Sequence, residues 1–321
     1  MHRLVSIAMF AIALTSVSAL LAQPYPSKPI RIIVPFPPGD TLDTMSRLIA
    51  PKLTERLGQN IVIDNRPGAA GQLGLELAAR ARPDGYTLVG GSGGNLVVQP
   101  HTYKNLPYQP LKDFLPITLA TTNILALVVN VSTPFKSVGD LITYAKAKPG
   151  QLRFATNGEG GFPHMTTELF RVMGNFTYLH VPYKGSAQIF TELIGGRVDT
   201  TILGIGSVTS YVRTGRVRLL AVTSATRSEV FPDVPTIAET LPGYESRGWI
   251  GYLAPAGTST KILRSLNHEI ASAITMPDVK DKLVALGLDV VAQPPDMFGQ
   301  MLRRDYEKYA QLIRAIGFQP Q

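Results

Sequence analysis

The sequence predicts an α/β protein of two lobes, each built on a mostly parallel sheet that is flanked by helices. From Ile30 onward, a buried strand, a loop rich in glycine or proline, and a helix follow one another repeatedly. This alternation is typical of parallel sheets that are covered by helices. A second series of the same kind begins near Leu125, and a helical tail closes the chain. The length of 321 residues is sufficient for two domains.

The first series opens with the apolar strand that begins at Ile30. Its strands are predicted over residues 30–36, 60–65 and 86–90, and its helices over residues 40–58 and 72–82. Pro51 lies inside the first of these helices. It has no N–H for the carbonyl group of Arg47, so we expect the helix to kink or break there.

The second series begins with a strand over residues 125–130, and Ser137 is the expected N-cap of the helix that follows. Further strands are predicted over residues 152–156, 178–183, 198–203 and 217–224, with helices over 138–148, 164–174, 187–196 and 208–215. The tail adds a strand over 249–257 and helices over 261–274, 279–286 and 297–316. We expect residues 23–124 with 225–321 to form lobe 1 and residues 125–224 to form lobe 2, joined by crossing strands.

The N-terminus has the layout of a secretory signal peptide. A basic residue, Arg3, precedes an apolar run over residues 4–14, and small residues lead to Ala19 and Ala22. A membrane anchor is the alternative, but polar residues interrupt the apolar run before it reaches the length that spans a bilayer, about 20 residues. We therefore predict export, with residues 1–22 removed by cleavage near Ala19 or Ala22, and a soluble mature protein.

Composition excludes several kinds of site. The chain has no cysteine, which rules out disulfides, thiolate metal sites and a thiol nucleophile. Its five histidines show no metal-ligand spacing, so we expect no metal site. The net charge is +8, but lysine and arginine are scattered and do not alternate with aromatic residues. Nucleic-acid binding is therefore not supported.

A glycine-rich stretch before the helix at residue 164 indicates an anion site. Gly158, Gly160 and Gly161 allow the backbone of the glycine loop (residues 156–161) to turn its amides inward, and Pro163 suits the first helical position. Free amides at a helix N-terminus bind carboxylates or phosphates. A plain connection with tolerated glycines is the alternative. His164 could contact a bound anion or, equally well, hydrogen-bond a loop carbonyl group.

The first loop (residues 35–40) follows the first strand, where ligands of open α/β sheets bind. Asp40 and Asp43 fall at the start of the next helix, where carboxylates commonly cap free amides. A pair of catalytic carboxylates is the alternative, but the neighbouring sequence offers no second polar cluster. We therefore interpret both aspartates mainly as helix caps.

The stretch GGSGG, residues 90–94, matches the G-x-S-x-G nucleophile elbow of hydrolases and follows a predicted strand. The elbow requires a helix directly after Ser92. Gly94, Asn95 and Pro100 argue against such a helix. A secreted α/β hydrolase acting through Ser92 stays open as the alternative function.

Several motifs in order resemble the Bug family of extracytoplasmic solute receptors, over nearly the whole mature chain. These are PFPPGDTLDTMSR from residue 35, NRPGAAGQLG from 65, PDGYTL from 83 and LPYQPLKDFLP from 106. HVPYKG from 180, LAVTSATRS from 220, PDVPTIAE from 232 and APAGT from 254 follow. Each motif alone is weak, and together they are specific.

The resemblance implies a type II-like periplasmic binding protein that closes two lobes on a small organic carboxylate and is not an enzyme. It implies no cofactor, a periplasmic location, and the membrane subunits of a tripartite tricarboxylate transporter as partners. We expect a monomer. The candidate ligand-binding residues are Phe36, Pro37, Pro38, Gly39, Asp40, Asp43 and Ser92 on one lobe, and Thr156, Asn157, Gly158, Glu159, Gly160, Gly161, His164 and Tyr183 on the other.

The chain departs from the family pattern at both loops. Asp40 stands where the family usually has glycine, and Gly161 stands where it usually has a hydroxyl side chain. Glu159 adds a further negative charge. The resemblance therefore implies a ligand that carries an amine, or that is bulkier and less charged than a plain dicarboxylate.

Overall fold

A computed structural model describes residues 25–183 and 185–320. The predicted signal peptide lies outside these residues. The strands are β1 Ile30–Val34, β2 Ile61–Asn65, β3 Thr87–Ser92, β4 Phe114–Asn130, β5 Arg153–Asn157, β6 Leu179–Tyr183, β7 Thr200–Gly204, β8 Val217–Val222, β9 Arg247–Pro255 and β10 Asp289–Gln293.

The helices of the described residues follow most strands, as the alternation predicted. They are α1 Thr41–Leu57, α2 Gln72–Ala79, α3 Gln99–Thr102, α4 Pro110–Asp113, α5 Val138–Ala147, α6 Phe162–Gly174, α7 Ser186–Ile194, α8 Ile205–Arg213, α9 Thr260–Thr275, α10 Pro277–Ala285 and α11 Pro295–Ala315. A π-helical turn over Gly94–Val98 leads into α3. Ser137 caps α5 as expected, since its hydroxyl accepts from the Asp140 amide at 3.1 Å.

Two parallel units are joined through the long strand β4. The strand order is β2-β1-β3-β9-β4-β7-β5-β6, and β8 and β10 also pair with β4. In lobe 1, β1 pairs in parallel with β2 and β3, and in lobe 2, β5 pairs in parallel with β6 and β7. Residues 114–124 of β4 pair with β9, whereas residues 125–130 pair with β7 and β8. One continuous strand therefore belongs to both lobes.

Each sheet buries side chains on both faces. Along β1, Ile32 and Val34 enter one apolar cluster while Ile33 between them enters another. In lobe 2, Leu127 of β4 enters one apolar cluster and its neighbour Val128 enters the cluster on the opposite face. Alternate side chains of a strand point to opposite faces, so helices must cover both sides of each sheet.

Three elements differ from the sequence expectation. The first half of β4 and all of β10 were not predicted, and both pair antiparallel. The helix does not break at Pro51, because α1 runs from Thr41 to Leu57, and the kink expected there stays a prediction. The lobe boundary at residue 225 stays a prediction, and Ile237 and Tyr244 pack in an apolar cluster with Phe154 of β5.

Helix α6 of lobe 2 packs against helix α11 of lobe 1. The Thr166 and Ser246 hydroxyls lie 2.8 Å apart, and the Ser246 hydroxyl lies 3.2 Å from the Tyr309 hydroxyl. The rings of Phe162 and Tyr309 are 5.8 Å apart. These contacts fasten the two lobes together on one side of the cleft.

Candidate functional site

The carboxyl ends of the parallel strands carry the loops that meet between the lobes. After β3, Gly93 lies close to the ring of Phe162, which begins α6 in the other lobe. A methyl group added at Gly93 would be 3.3 Å from that ring. After β7, a methyl group added at Gly206 would lie 2.7 Å from the Leu286 carbonyl oxygen. Leu286 follows α10 of lobe 1. The lobes are therefore in contact at two places along the cleft.

A small cavity of about 210 Å³ lies between the lobes, beside the start of α1. It is lined by Thr41, Asn123, Gly204, Ile205, Gly206, Ser207, Ile250, Leu286, Gly287 and Leu288. A larger cavity of about 830 Å³ lies beside Phe114 and Pro116, at the opposite end of the lobe 1 sheet. Of these two cavities, the small one lies at the carboxyl ends of parallel strands, where ligands of open α/β sheets bind.

Two backbone amides, one in the first loop and one in the first turn of α1, are engaged by Asp43 and Asp40. Asp40 is the N-cap of α1 and accepts from the Leu42 amide at 2.9 Å. The Gly39 amide donates to Asp43 Oδ2 at 2.8 Å, and Gly39 has a positive φ of 86°. The capping interpretation is confirmed for Asp40, whereas Asp43 binds the Gly39 amide, which precedes the helix. These amides are thus not free to hold a ligand.

Asp43 is a structural residue of this loop, only 2% exposed. Besides Gly39, it accepts from Arg47 Nε at 3.0 Å and from Asn65 Nδ2 at 2.8 Å. Burial alone would raise the pKa of Asp43, but these hydrogen bonds and the charge of Arg47 lower it below its usual value. For Asp40, burial raises the pKa more than the neighbouring amides lower it.

The remaining first-loop residues differ in exposure. Phe36 is half-buried and packs against the core of lobe 1, and its carbonyl oxygen accepts from Asn65 Nδ2 at 3.1 Å. Pro37 and Pro38 are exposed. The structure therefore brings the first-loop candidates together around Asp43, with the two prolines facing solvent.

The glycine loop keeps several backbone donors free. Gly158 and Gly160 have positive φ angles of 84° and 69°, whereas Gly161 is extended at φ −80°. Within the part of the chain that the structure describes, the amides of Gly158, Glu159 and Gly161 have no protein acceptor. They lie at the N-terminus of α6, where Gly161 offers no side-chain cap. This end of α6 can accept an anion.

The Gly160 amide is an exception, because it donates to Nδ1 of His164 at 3.0 Å. His164 therefore bonds a loop amide, a partner that neither of the two sequence alternatives, a bound anion or a loop carbonyl group, had named. The His164 ring stacks on that of His180 with centroids 4.1 Å apart and planes 4° apart. Burial, followed by the proximity of His180, lowers the pKa of His164 to about 4. His164 is therefore neutral at pH 7.

The other lobe 2 candidates lie near this loop. Thr156 is buried, and its hydroxyl donates to the Gly158 carbonyl oxygen at 3.0 Å. Asn157 is exposed and pairs in register with Tyr183 at the ends of β5 and β6. Tyr183 is half-buried against the apolar cluster that contains Phe190.

Ser92 lacks the neighbours that a nucleophile needs. A helical turn does follow it directly, so the expectation that no helix would follow is wrong. Its hydroxyl lies 3.4 Å from Asn95 Oδ1, which also accepts from its amide at 2.9 Å. No histidine or carboxylate is hydrogen-bonded to Ser92 among the described residues. A nucleophile without a base within reach is not activated.

Sequence reasoning missed the start of α8. It placed this helix at residue 208, whereas α8 begins at Ile205 with Gly204 as an N-cap that provides no side-chain bond. The signal was present in LGIGS, two glycines directly after a strand, which is the pattern used at the glycine loop. Residues 204–207 thereby become a second helix N-terminus at the cleft.

Metal ligands and membrane spans are both absent from the described part of the chain. Residues 25–183 and 185–320 contain no group of three acidic or histidine side chains placed to hold a metal ion. In the same residues, no helix combines the length and apolar character needed to cross a membrane.

Comparisons with known proteins cover nearly the whole chain. Residues 45–318 match a family described as the tripartite tricarboxylate transporter family receptor. The chain is 36% identical to protein BugT of Bordetella pertussis over 320 residues, 99% of this chain and 98% of that protein. It is similar to R. palustris Rpa4515 with adipate (TM-score 0.79, 34% identity, 92% of this chain and 100% of that one). It is also similar to Rhodopseudomonas palustris MatC with bound malate (TM-score 0.75, 30% identity, 90% and 100%).

Proposed function

This chain belongs to the tripartite tricarboxylate transporter receptor family, and from that premise we propose that it captures a small organic carboxylate between its lobes and delivers it to a membrane transporter. The resemblance to the Bug family is thereby confirmed. The protein is a solute-binding receptor of the periplasmic binding protein class and not an enzyme. This excludes the alternative of a secreted α/β hydrolase acting through Ser92.

The free amides of the glycine loop carry the proposal. Among the residues that the structure describes, no protein acceptor binds the N–H groups of Gly158, Glu159 and Gly161, which lie at the N-terminus of a 13-residue helix. Only an acceptor-rich group can satisfy several such donors together, and the helix dipole favours one with negative charge. Adipate and malate, found on two similar proteins, are carboxylates of this kind.

The contacts of lobe 1 differ from those of lobe 2. Gly39 and Leu42 donate their amides to Asp43 and Asp40, so we assign carboxylate binding to the glycine loop and to the start of α8. The first loop, with Phe36 and Ser92, then contacts the remainder of the ligand. The half-buried Asp40 carboxyl suits a hydrogen-bond donor such as a hydroxyl or an amine, as the departure from the family pattern implied.

The location and partners are part of the proposal. Residues 1–22 would direct export and be cleaved near Ala19 or Ala22, and the mature receptor would act as a periplasmic monomer. Residues 23–124 with 225–321 and residues 125–224 would be the two closing lobes. The membrane subunits of the transporter would receive the solute.

Calorimetry with adipate and L-malate as probes tests the site. A ligand at 100 times its dissociation constant stabilises the folded state by about 2.7 kcal/mol, so a thermal-shift measurement detects it as well. Gly161→Asp places the chain's own carboxylate at the N-cap of α6, where it occupies the same amides. It should weaken carboxylate binding at least tenfold, about 1.4 kcal/mol, without loss of stability.

Ser259→Asp is the matched control, because it adds the same charge at the N-cap of α9, on lobe 1. It should leave the affinity unchanged. Equal affinity of Gly161→Asp and wild type would place the carboxylate elsewhere. Absence of binding by both probes and by a wider panel of organic acids would contradict the carboxylate assignment.

A further inference from the structure

Two histidines from different elements stack beneath the glycine loop. His164 belongs to the first turn of α6 and is 6% exposed, and His180 belongs to β6. Their rings are nearly parallel and 4.1 Å apart. Each ring bonds a different part of the loop, since His164 Nδ1 accepts from the Gly160 amide and His180 Nε2 bonds the Thr156 hydroxyl.

The hydrogen bonds fix the proton on each ring. A backbone amide can only donate, so His164 Nδ1 carries no proton and the neutral ring is protonated at Nε2. The Thr156 hydroxyl donates its single proton to the Gly158 carbonyl oxygen, so it accepts from His180 Nε2. His180 therefore keeps its bond in either charge state, whereas His164 keeps its bond only when neutral.

We propose that His164 is a positioning residue of the ligand site, whose unprotonated Nδ1 holds the glycine loop open to an anion, and that His180 keeps it unprotonated. Two cations 4.1 Å apart repel each other strongly in a buried site. A proton taken up by the pair therefore resides on His180, at a nitrogen that does not hold the loop. The loop keeps its shape while the pair gains one charge.

Charged groups surround the pair on several sides. On the helix of His164, Glu168 Oε1 lies 4.0 Å from His164 Nε2, and the same carboxylate pairs with Arg171 and accepts from the Tyr178 hydroxyl. Burial lowers the pKa of His180 below its usual value, and the carboxylates of Glu159 and Glu168 oppose this only in part. The ring of Phe318 covers another edge of His164, with centroids 6.3 Å apart.

Protonation of His164 would break its hydrogen bond to the glycine loop, because Nδ1 would change from an acceptor to a donor. A proton on His164 Nδ1 would face the Gly160 N–H, and two donors cannot bond each other. Gly160 would then lose its acceptor and the loop would lose the bond that orients its neighbouring amides. This step concerns the loop by itself, and its consequence for a carboxylate rests on the proposed function.

Two substitutions separate the role of the nitrogen from that of the ring. His164→Asn places an acceptor oxygen at the position of Nδ1 and does not titrate. His164→Leu fills the same space without an acceptor. His268→Asn is the control, because the His268 side chain is 73% exposed on α9. His180→Gln keeps a donor at the position of Nε2 and removes the neighbouring charge.

Nuclear magnetic resonance of the ligand-free protein is the decisive measurement. Wild type should show a nitrogen–nitrogen coupling between the Gly160 amide and an unprotonated His164 Nδ1 at pH 7.5, and His164→Leu should shift the loop amides while His164→Asn and His268→Asn do not. In His180→Gln, the pH at which the Gly160 amide signal moves should rise. A protonated Nδ1 at pH 7.5, or loop amides that ignore His164→Leu, would overturn the proposal.

Affinity for adipate and L-malate extends the test to binding. His164→Leu should weaken the binding of whichever probe binds wild type at least tenfold, and His164→Asn should stay within about threefold. Equal affinity of His164→Leu and wild type would overturn the positioning role. If neither the probes nor a wider panel of organic acids binds wild type while the magnetic resonance results hold, the proposed function fails and the role of His164 in the loop stands.

Discussion

Gly160→Ala is expected to destabilise the protein and Gly161→Ala to leave its stability nearly unchanged, although the two glycines are adjacent in the same loop. Gly160 has a φ of 69°, in the left-handed region that side chains disfavour. Gly161 has a φ of −80° and a ψ of 171°, which any residue adopts. Sequence reasoning treated the two as equivalent, because it could not assign a backbone conformation to either.

The magnitude for Gly160→Ala has two parts. A left-handed conformation costs an L-residue about 1–2 kcal/mol. The new methyl group would also lie 3.3 Å from Cζ of Phe318, a half-buried ring near the C-terminus that must shift slightly. We expect a loss of about 1.5 kcal/mol or somewhat more, which for a chain of this size lowers Tm by roughly 2–3 °C.

The magnitude for Gly161→Ala is close to zero. Its methyl group would lie 3.5 Å from the Asn157 carbonyl oxygen and 3.9 Å from Pro163, both ordinary contacts. Alanine at a compatible position reduces the entropy of the unfolded chain and stabilises by about 0.4–1 kcal/mol, but alanine is a poorer N-cap than glycine by a similar amount. Tm should therefore stay within about 1 °C of wild type.

Urea denaturation of the mature protein, with and without each substitution, measures the difference. Gly158→Ala is the internal control, because Gly158 has a φ of 84° and no atom within 4 Å of the added methyl group. It isolates the backbone cost from the contact with Phe318. Equal changes for Gly160→Ala and Gly161→Ala, or a larger loss for Gly161→Ala, would refute the loop geometry described above.

Three further predictions concern pH, closure and the first loop. The pKa of His164 falls from 6.5 to about 4 on folding, so its contribution to stability is complete above pH 6.5 and is lost as pH falls toward 4. The variant His164→Asn does not titrate in this range and should therefore be destabilised at pH 4.5 by about 2–3 kcal/mol less than wild type. Equal pH profiles of the two proteins in urea denaturation would contradict this. Gly206→Ala places a methyl group 2.7 Å from the Leu286 carbonyl oxygen of the other lobe, which is too close, so the lobes should move apart. Solution scattering should then give a larger radius of gyration than for wild type. An unchanged curve would show that only the residues around Gly206 shift. Asp43→Asn removes the buried charge that pairs with Arg47 and should cost about 1–3 kcal/mol in the free energy of unfolding, whereas a loss below about 0.5 kcal/mol would show that the first loop does not depend on it.

Much of the fold could be predicted because its signals are local. The apolar runs of β1 and β5 and the periodic helices between them are read within a window of about 11–18 residues. The strand from residue 114 to 124 has no such signal, since Pro116 and three threonines interrupt its apolar pattern. It becomes a strand because β9 and β10 supply antiparallel partners more than 100 residues away in sequence.

The candidate site, like the fold, could be predicted only in part from the sequence. The amino-acid sequence by itself determined the glycines, a helix that starts close to Pro163 and the absence of thiol chemistry, because residue type alone fixes these. Only the tertiary structure decided which donors stay free. Asp43 engages the Gly39 amide and His164 engages the Gly160 amide, whereas Gly161 keeps its own. A hydrogen bond depends on distances of a few tenths of an ångström, and these are set by packing across elements such as β6, which brings His180 under a loop more than 20 residues earlier.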